Sequence, residues 1–406
     1  MNIFIARQPI FDLKMDVYAY ELLFRIDGAD AYDYSDGDKA TANVLADTLS
    51  SIDLSTLTGQ QRYFINFTSN LIISDVASLF PKELLHVEVL EDVDPTPDVI
   101  DSCKKLKENG YMIVLDDFEY DPSLEPLVEL ADIIKVDFLL SPPEEWAALA
   151  QRVKGKNIKL LAEKLENVEM FETAKSLGYE YFQGYFFSRP TLTQVKDIAP
   201  NKMSSLSLMR EINRTDVDLK ALEQIIRRDV SLSMKLLKLI NSAVFGLRTE
   251  VSSVGHALTL LGISNVKKWA SVVALSQMGE GLPTELIEMT LIRGNFCDLL
   301  SKSGNLKIPT DSAYFVGTFS LIDTFIGRPL DEILADIPLT DEIKHGLLKR
   351  EGKLGHLLNL IENYEKGLWK ECEAICSELG VIAEAVSPIY LQSVKKTQDI
   401  MEQLAR

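Results

Sequence analysis

Between residues 21 and 183, nearly every apolar, strand-like run ends in a carboxylate or a carboxamide. In chain order these are Glu21, Asn66, Glu88, Asp116 with Asp117, Asp137 beside Lys135, Glu163 and Gln183. Oxygen ligands at the carboxyl ends of successive parallel strands converge on one mouth. In a β/α barrel that mouth is where the chemistry sits. Hard oxygen donors of this kind suit Mg²⁺, Mn²⁺ or Ca²⁺ rather than zinc.

Each of these residues has a second reading. Asp116 and Asp117 close the run Met112–Leu115, where one Asp can serve a metal and the next a neighbouring metal or water; a lone Asp pair also starts loops and caps helices. Glu88 is flanked by Val87 and Val89 inside an apolar strand, and a buried strand carboxylate needs a partner or a metal. Glu91 stands at the following loop start and could be merely solvated. Lys135 can lower the pKa of a metal-bound water or steady an anionic transition state, or it can sit in an interior ion pair with Asp137. Gln183 precedes a turn glycine, Gly184, and its amide suits base-edge hydrogen bonding. Arg25 can clamp a phosphate in bidentate fashion or lie on the surface.

Such a set needs a sheet to hold it. The strand-like runs are Asn2–Ile5, Val17–Phe24, Tyr63–Asn66, Leu85–Leu90, Met112–Leu115, Ile133–Val136, Ile158–Ala162 and Tyr181–Phe182, with helix-like segments such as Lys39–Ser50, Pro97–Asn109 and Val168–Ser176 between them. This alternation predicts a parallel sheet. Gly110 and Gly178 fall where helix C-caps belong. The count fits a trimmed TIM-like β/α barrel over residues 1–192, shorter than the roughly 250 residues usual for that fold. An open doubly wound sheet is the alternative, but it leaves ligands on so many strand ends unexplained. Residues 193–202 read as a linker. From 203 to 406 helical periodicity takes over, as in Leu222, Ile225, Ile226 and then Met234, Leu237, Leu239, Ile240. Gly262-Ile263-Ser264 predicts a helix end and a fresh N-cap at Ser264. The expected fold class is α/β plus all-α.

The net charge is −19, unevenly spread. Residues 1–190 hold 34 Asp and Glu against 17 Lys and Arg, whereas the remainder holds 27 against 25. An acidic first half argues against direct nucleic-acid binding, which rests on neutralising phosphates. An anionic ligand there needs a cation to mediate it, and a divalent metal is the economical candidate. The four cysteines, Cys103, Cys297, Cys372 and Cys376, form no CxxC pair and read as reduced thiols. No run approaches the roughly 20 apolar residues of a membrane span, and the first residues turn polar too quickly for a signal peptide. The expectation is a cytoplasmic protein without a membrane partner.

Seven motifs in order make the first half resemble the EAL family of cyclic di-GMP phosphodiesterases. They are Glu21-Leu22-Leu23-Phe24-Arg25, the FINFT run with Asn66, Glu88-Val89-Leu90-Glu91, Asp116-Asp117-Phe118-Glu119, Lys135-Val136-Asp137, Ala162-Glu163-Lys164-Leu165-Glu166 and Gln183-Gly184-Tyr185. The match runs from Gln8-Pro9-Ile10 to Pro190. The resemblance implies Glu21, Asn66, Glu88 and Asp116 as ligands of a first Mg²⁺ or Mn²⁺ and Asp117 as a ligand of a second. It implies Lys135 and Glu163 around the attacking water, Arg25, Gln183 and Asp137 toward substrate, and Glu91 bracing the loop after Asp117. It also implies cyclic di-GMP as ligand, hydrolysed to pGpG if the site turns over, and a homodimer as one available assembly. Three departures weigh against turnover. Leu22 stands where the family has Ala. The loop DFEYDPSLEP lacks the family's glycines and adds acidic charge. The helix usual before the QP run is missing.

The second half resembles the HDOD family of helical output modules, related to HD phosphohydrolases. The carriers are RRDVSLSMKLLKLINSAVFGL (227–247) and VSSVGHALTLLGISNVKKW (251–269). Where an HD enzyme has its His-Asp dyad, this chain reads GTFSLIDTF (317–325), with Ser320 in place of a histidine and Asp323 without one nearby. His86, His256, His345 and His356 form no cluster in sequence, and His256 reads as a helix-packing residue. The resemblance implies a non-catalytic domain that engages a protein partner. Two functions remain open: a metal-dependent cyclic di-GMP phosphodiesterase, or an inactive EAL–HDOD receptor or scaffold.

Overall fold

A computed structural model describes residues 3–26, 54–188, 200–214, 216–241, 251–303 and 306–405. The predicted helix Lys39–Ser50, most of the predicted linker and residues 242–247 of the first helical motif lie outside the described residues. The chain divides into two compact units. One is Met1–Arg189 with Asn363–Cys372 and Val386–Leu391; the other is Pro190–Glu362, Glu373–Ala385 and Gln392–Arg406.

The first unit is a closed eight-stranded barrel in sequential order: β1 (Ile3–Phe11), β2 (Val17–Ile26), β3 (Arg62–Phe67), β4 (Leu85–Val89), β5 (Met112–Leu115), β6 (Ile133–Asp137), β7 (Lys159–Glu163) and β8 (Tyr181–Gln183). The strands from β2 to β8 are parallel, as the alternation predicts, and closure excludes the open sheet. β1 departs from the expected parallel sheet, running antiparallel to both β2 and β8. The cause is the short Asp12–Asp16 turn, in which Asp12 Oδ1 accepts from the Lys14 and Asp16 amides, so β1 and β2 form a hairpin with no room for a crossover.

β1 meets β8 only through Ile10 and Phe11, which leaves the backbone of Ile5 to find other partners. The Tyr364 hydroxyl accepts from the Ile5 amide at 3.3 Å and donates to the Ile5 carbonyl at 3.0 Å. Satisfying both groups on a strand edge avoids the cost of buried unpaired backbone. Between strands, Pro97–Asn109 starts on the Thr96 cap and ends at Gly110 (φ 93°), and Val168–Leu177 starts on Asn167 and ends at Gly178 (φ 94°). Both glycines adopt the left-handed conformation expected of C-caps.

The second unit is helical. Its helix Thr284–Lys302 is buried on nearly every side. It packs tightly on Thr310–Thr318, because a Cβ on Gly317 would stand 2.4 Å from the Arg293 carbonyl oxygen. The break predicted at Gly262 is present: φ 74° and ψ 158° interrupt the span Val254–Met278. Ser264 donates its hydroxyl to Asp311 at 2.8 Å. On Val230–Ile240 the buried face is Leu232, Leu236 and Ile240, while Met234 is 57% exposed. His256 is exposed rather than packed, because it falls in the first turn after the Ser253 cap.

Candidate functional site in the barrel mouth

The barrel interior is built in two layers. The lower one is apolar and takes one residue from each of seven strands: Ile10, Ala19, Phe64, Val114, Ile133, Leu161 and Tyr181. His86 of β4 fills the eighth position, stacked on Phe64 with ring centroids 4.8 Å apart. Side chains alternate along a strand, so two residues further each strand faces the interior again. Those positions hold Gln8, Glu21, Asn66, Glu88, Asp116, Lys135, Glu163 and Gln183. One polar side chain per strand thus forms a closed ring directly above an apolar floor.

Lys135 sits at the centre of this ring and is 1% exposed. Its Nζ lies 2.8 Å from Asp116 Oδ1, 2.8 Å from Glu163 Oε1 and 3.6 Å from Glu21 Oε2, and it donates to Glu88 Oε1. Burial disfavours its charge, but the four carboxylates raise its pKa well above the ordinary value. Burial pushes Glu88 and Glu163 well above the usual carboxylate range despite the opposing pull of Lys135. Burial opposes ionisation of Asp116 as well, yet the Lys135 charge and its hydrogen bond hold that residue below its usual value. One ammonium is therefore set against four carboxylates in a dry site, an arrangement that a further cation would relieve.

Atoms without donors point the same way. Asn66 Oδ1, Glu88 Oε2, Asp117 Oδ1, Glu163 Oε2 and Gln183 Oε1 are buried with no hydrogen-bond partner. All five are acceptor oxygens, and each costs about 1–3 kcal/mol if left unpaired. Ligand oxygens of Asp116, Asp117 and Glu163 lie within 4.8 Å of one another. The donor set fits a hard divalent cation.

The remaining sequence candidates fall into place around the ring. Asp117 follows with φ 36°, a left-handed conformation that turns it off the strand line. Gln183 spends its amide nitrogen within the protein, donating to Glu21 Oε2 at 2.6 Å and Gln8 Oε1 at 3.0 Å. Only its oxygen is left to meet a ligand, and its immediate effect is to hold Glu21. Asp137 is also occupied: Oδ1 accepts from the Leu139 and Leu140 amides at 2.6 and 2.9 Å, and Oδ2 accepts from Lys164. It pairs with Lys164, not with Lys135. Arg25 lies four residues beyond Glu21 on the same face of β2, its guanidinium 6.0 Å from the Phe4 ring. Glu91 is exposed, and among the described residues no hydrogen bond joins it to the loop after Asp117.

That loop carries its own supports. Asp121 Oδ1 accepts from the Ser123 amide at 2.7 Å, Arg152 lies 3.3 Å from the centre of the Tyr120 ring, and the Phe118 amide donates to the Lys135 carbonyl at 3.0 Å. Sequence reasoning passed over two members of the site. Gln8 sits on the antiparallel strand, where the apolar-x-polar order is reversed. Lys164 follows a strand end in a charged stretch that reads as solvated surface.

In the helical unit, buried Ser320 donates to the Gly317 carbonyl at 2.7 Å and accepts from Arg293, whose guanidinium is 3.3 Å from Glu362. An arginine-centred polar network therefore surrounds the position where an HD enzyme has its histidine. Asp323 has its pKa raised by burial, and its Oδ1 accepts from the Thr324 amide.

Comparison with known proteins adds the family. The EAL domain model matches residues 36–190 and the HDOD domain model matches residues 200–322. The protein YuxH of Bacillus subtilis is 34% identical over 410 residues, covering 99% of this chain and 100% of YuxH. The chain belongs to the EAL–HDOD family. A second relative, the cyclic di-GMP phosphodiesterase CdgJ of Vibrio cholerae, is 32% identical over 400 residues, covering 98% of this chain and 93% of CdgJ. Among solved structures, an EAL domain protein from Listeria monocytogenes is 23% identical with a TM-score of 0.38, covering 46% of this chain and 88% of that one. The phosphodiesterase PaMucR in complex with c-di-GMP is 18% identical with a TM-score of 0.39, covering 47% and 96%. The EAL model match begins after Glu21–Arg25, yet in this EAL–HDOD chain Glu21 stands within the polar ring. Among the described residues no single helix is long and apolar enough to cross a membrane.

Proposed function

We propose that this chain is a bacterial cyclic di-GMP signalling protein acting in the cytoplasm. Its barrel binds the nucleotide through one or two Mg²⁺ or Mn²⁺ ions, and the HDOD unit engages a protein partner without catalysing a reaction of its own. The observation that carries the reading is the ring of buried acceptor oxygens lacking donors, in a mouth too acidic to take a phosphodiester unaided. Full-length similarity to a cyclic di-GMP phosphodiesterase supports the choice of ligand.

In this reading Glu21, Asn66, Glu88, Asp116 and Asp117 would hold the metal. A bound divalent ion supplies Lewis acidity to a phosphoryl oxygen and acidifies a coordinated water. Gln183 fixes Glu21. Lys135 holds Glu88, Asp116 and Glu163 in register and offsets charge that grows on the phosphate. Glu163 presents Oε2 without a donor, where it would accept a proton from an attacking water. Arg25, on the Glu21 face of β2, would pair with a phosphate. Hydrolysis would yield pGpG. The second reading, a receptor without turnover, is favoured by the glycine-free, self-supported loop that follows Asp117.

The deciding experiment incubates the protein with cyclic di-GMP and Mg²⁺ or Mn²⁺, separates substrate from pGpG, and measures binding by calorimetry with Ca²⁺. Product that disappears in Glu88→Gln supports the phosphodiesterase. Binding without product supports the receptor, and silence in both assays removes the nucleotide reading.

A further inference from the structure

We propose that the Lys164 ammonium fills a second cation position in the barrel mouth, between Asp117 and Asp137, so that the site accepts a single divalent ion. The inference rests on the metal-binding reading above and deepens it.

Two observations lead there. Lys164 Nζ lies 3.3 Å from Asp117 Oδ2 and donates to Asp137 Oδ2, joining the loop after β5 and the end of β6 from the loop after β7. Its backbone has φ 53°, a conformation that costs a side chain about 1–2 kcal/mol and that glycine adopts freely. A lysine retained on unfavourable backbone, with its head group on two site carboxylates, is held there by those ion pairs.

The acceptor oxygens of the mouth then separate into two groups. Asn66 Oδ1, Glu88 Oε2, Glu163 Oε2 and the inner Oδ1 of Asp117 are buried and unpartnered. The outer Asp117 Oδ2 and both Asp137 oxygens are occupied, by Lys164 and by the Leu139 and Leu140 amides. Asp117 can meet a divalent ion on the side of the first group through Oδ1, leaving Oδ2 to Lys164. A second ion on the Asp117–Asp137 side has to displace Lys164. The side chain of Lys164 is 47% exposed, so its ammonium is tethered at the rim and not locked in the core.

The substitution has a chemical consequence. An ammonium offers three hydrogen-bond donors and one positive charge, enough to hold two carboxylates and meet a phosphate oxygen. It has no coordination position for a water and cannot convert one to hydroxide as a metal does. A one-ion site with a tethered ammonium keeps the electrostatics for nucleotide capture and gives up the second ion's contribution to turnover.

The test counts ions using Mn²⁺ alone, without nucleotide, by calorimetry and by electron paramagnetic resonance on the full chain. The variant Lys164→Gly removes the ammonium and relieves the backbone. Lys164→Gln keeps the length without the charge and guards against a folding defect in the glycine variant. The expected result is one Mn²⁺ per wild-type chain and two per variant chain, with spin–spin broadening between the paired ions only in the variants. Two ions on the wild type, or one on all three proteins, would overturn the inference and leave the metal reading standing. No ion on any of the three would overturn both.

Discussion

The carboxamide of Gln183 donates to Glu21 Oε2 at 2.6 Å, tying the last strand of the barrel to the second across the hairpin strand between them. The same nitrogen reaches Gln8, which in turn donates to the Glu365 carbonyl at 3.1 Å. Glu21 is therefore aimed by a relay of amides, and a metal that uses it depends on that relay. Partners that orient a ligand typically govern affinity by 10- to 100-fold when removed. Gln183→Leu keeps the approximate volume and deletes the donor. Mn²⁺ titration of this variant should show affinity lowered by about tenfold or more, with its far-ultraviolet circular dichroism unchanged. Equal affinity in both proteins would show that Glu21 needs no such support.

Lys135 is the one ammonium inside the ring, so its loss should be felt through charge. In Lys135→Met the four carboxylates face one another without compensation, a change of about 3–5 kcal/mol for a broken buried ion pair. Carboxylates whose folded pKa lies above the unfolded value favour the folded state when protonated, and they lose that preference as pH rises through the folded value. The variant should thus be weakest at alkaline pH and recover toward pH 5. Saturating Mn²⁺ should restore part of its stability at pH 8. Urea unfolding at the two pH values, with and without Mn²⁺, measures both effects.

Much of this site was legible because its pattern is local. Ala19-x-Glu21, Phe64-x-Asn66, His86-x-Glu88, Val114-x-Asp116, Leu161-x-Glu163 and Tyr181-x-Gln183 each place an apolar or aromatic residue two positions before a polar one, which is the period of a strand. What escaped depended on tertiary direction. Gln8 precedes its floor residue, Ile10, because β1 runs backwards. The partnership of Lys164 with Asp137 depends on a left-handed turn that periodicity does not encode. Tyr364 and Trp369 stand more than 350 residues from β1 in sequence, yet they group with it. The helical half was legible by the breaker Gly262, but its buried faces were less so. On Val230–Ile240 apolar residues lie on both sides, and only packing selects Leu232, Leu236 and Ile240.

The barrel floor should make stability depend on mild acid. His86 is 2% exposed, its Nε2 lies 2.9 Å from the Tyr18 hydroxyl, and burial together with Arg62 lowers its pKa to about 4. The unfolded chain takes up this proton near the ordinary value of about 6.5, whereas the folded chain resists it until about pH 4. The neutral ring's contribution is complete above pH 6.5 and lost as pH falls toward 4, amounting to about 3 kcal/mol across that window. In His86→Leu this dependence should disappear. Subtracting unfolding free energies of the two proteins at each pH isolates the imidazole from the many carboxylates. A difference that does not change between pH 7 and pH 4.5 would mean that the ring takes up its proton at the same pH in the folded and the unfolded chain.

The helical unit offers a test independent of metal and nucleotide. Asp298 is fully buried in Thr284–Lys302, with Lys268 at 2.6 Å, Lys302 at 2.7 Å and Lys396 at 3.6 Å. Burial opposes its ionisation, but the hydrogen bonds and charges of Lys268 and Lys302 hold its pKa below the usual value. A carboxyl depressed in this way stabilises the fold above its unfolded pKa and loses that contribution as pH falls through the folded one. Asp298→Ala leaves three ammonium groups without a counter-charge, although each reaches water in part and can be rehydrated. The expected loss is about 2 kcal/mol at pH 7, below the value for a fully buried pair, because water screens the lysines. The loss should shrink below pH 4, where the wild type also loses the carboxylate. Lys268→Met in the alanine background removes one of the repelling charges, so the double variant should be more stable than Asp298→Ala alone, as thermal unfolding of the four proteins in the cycle would show.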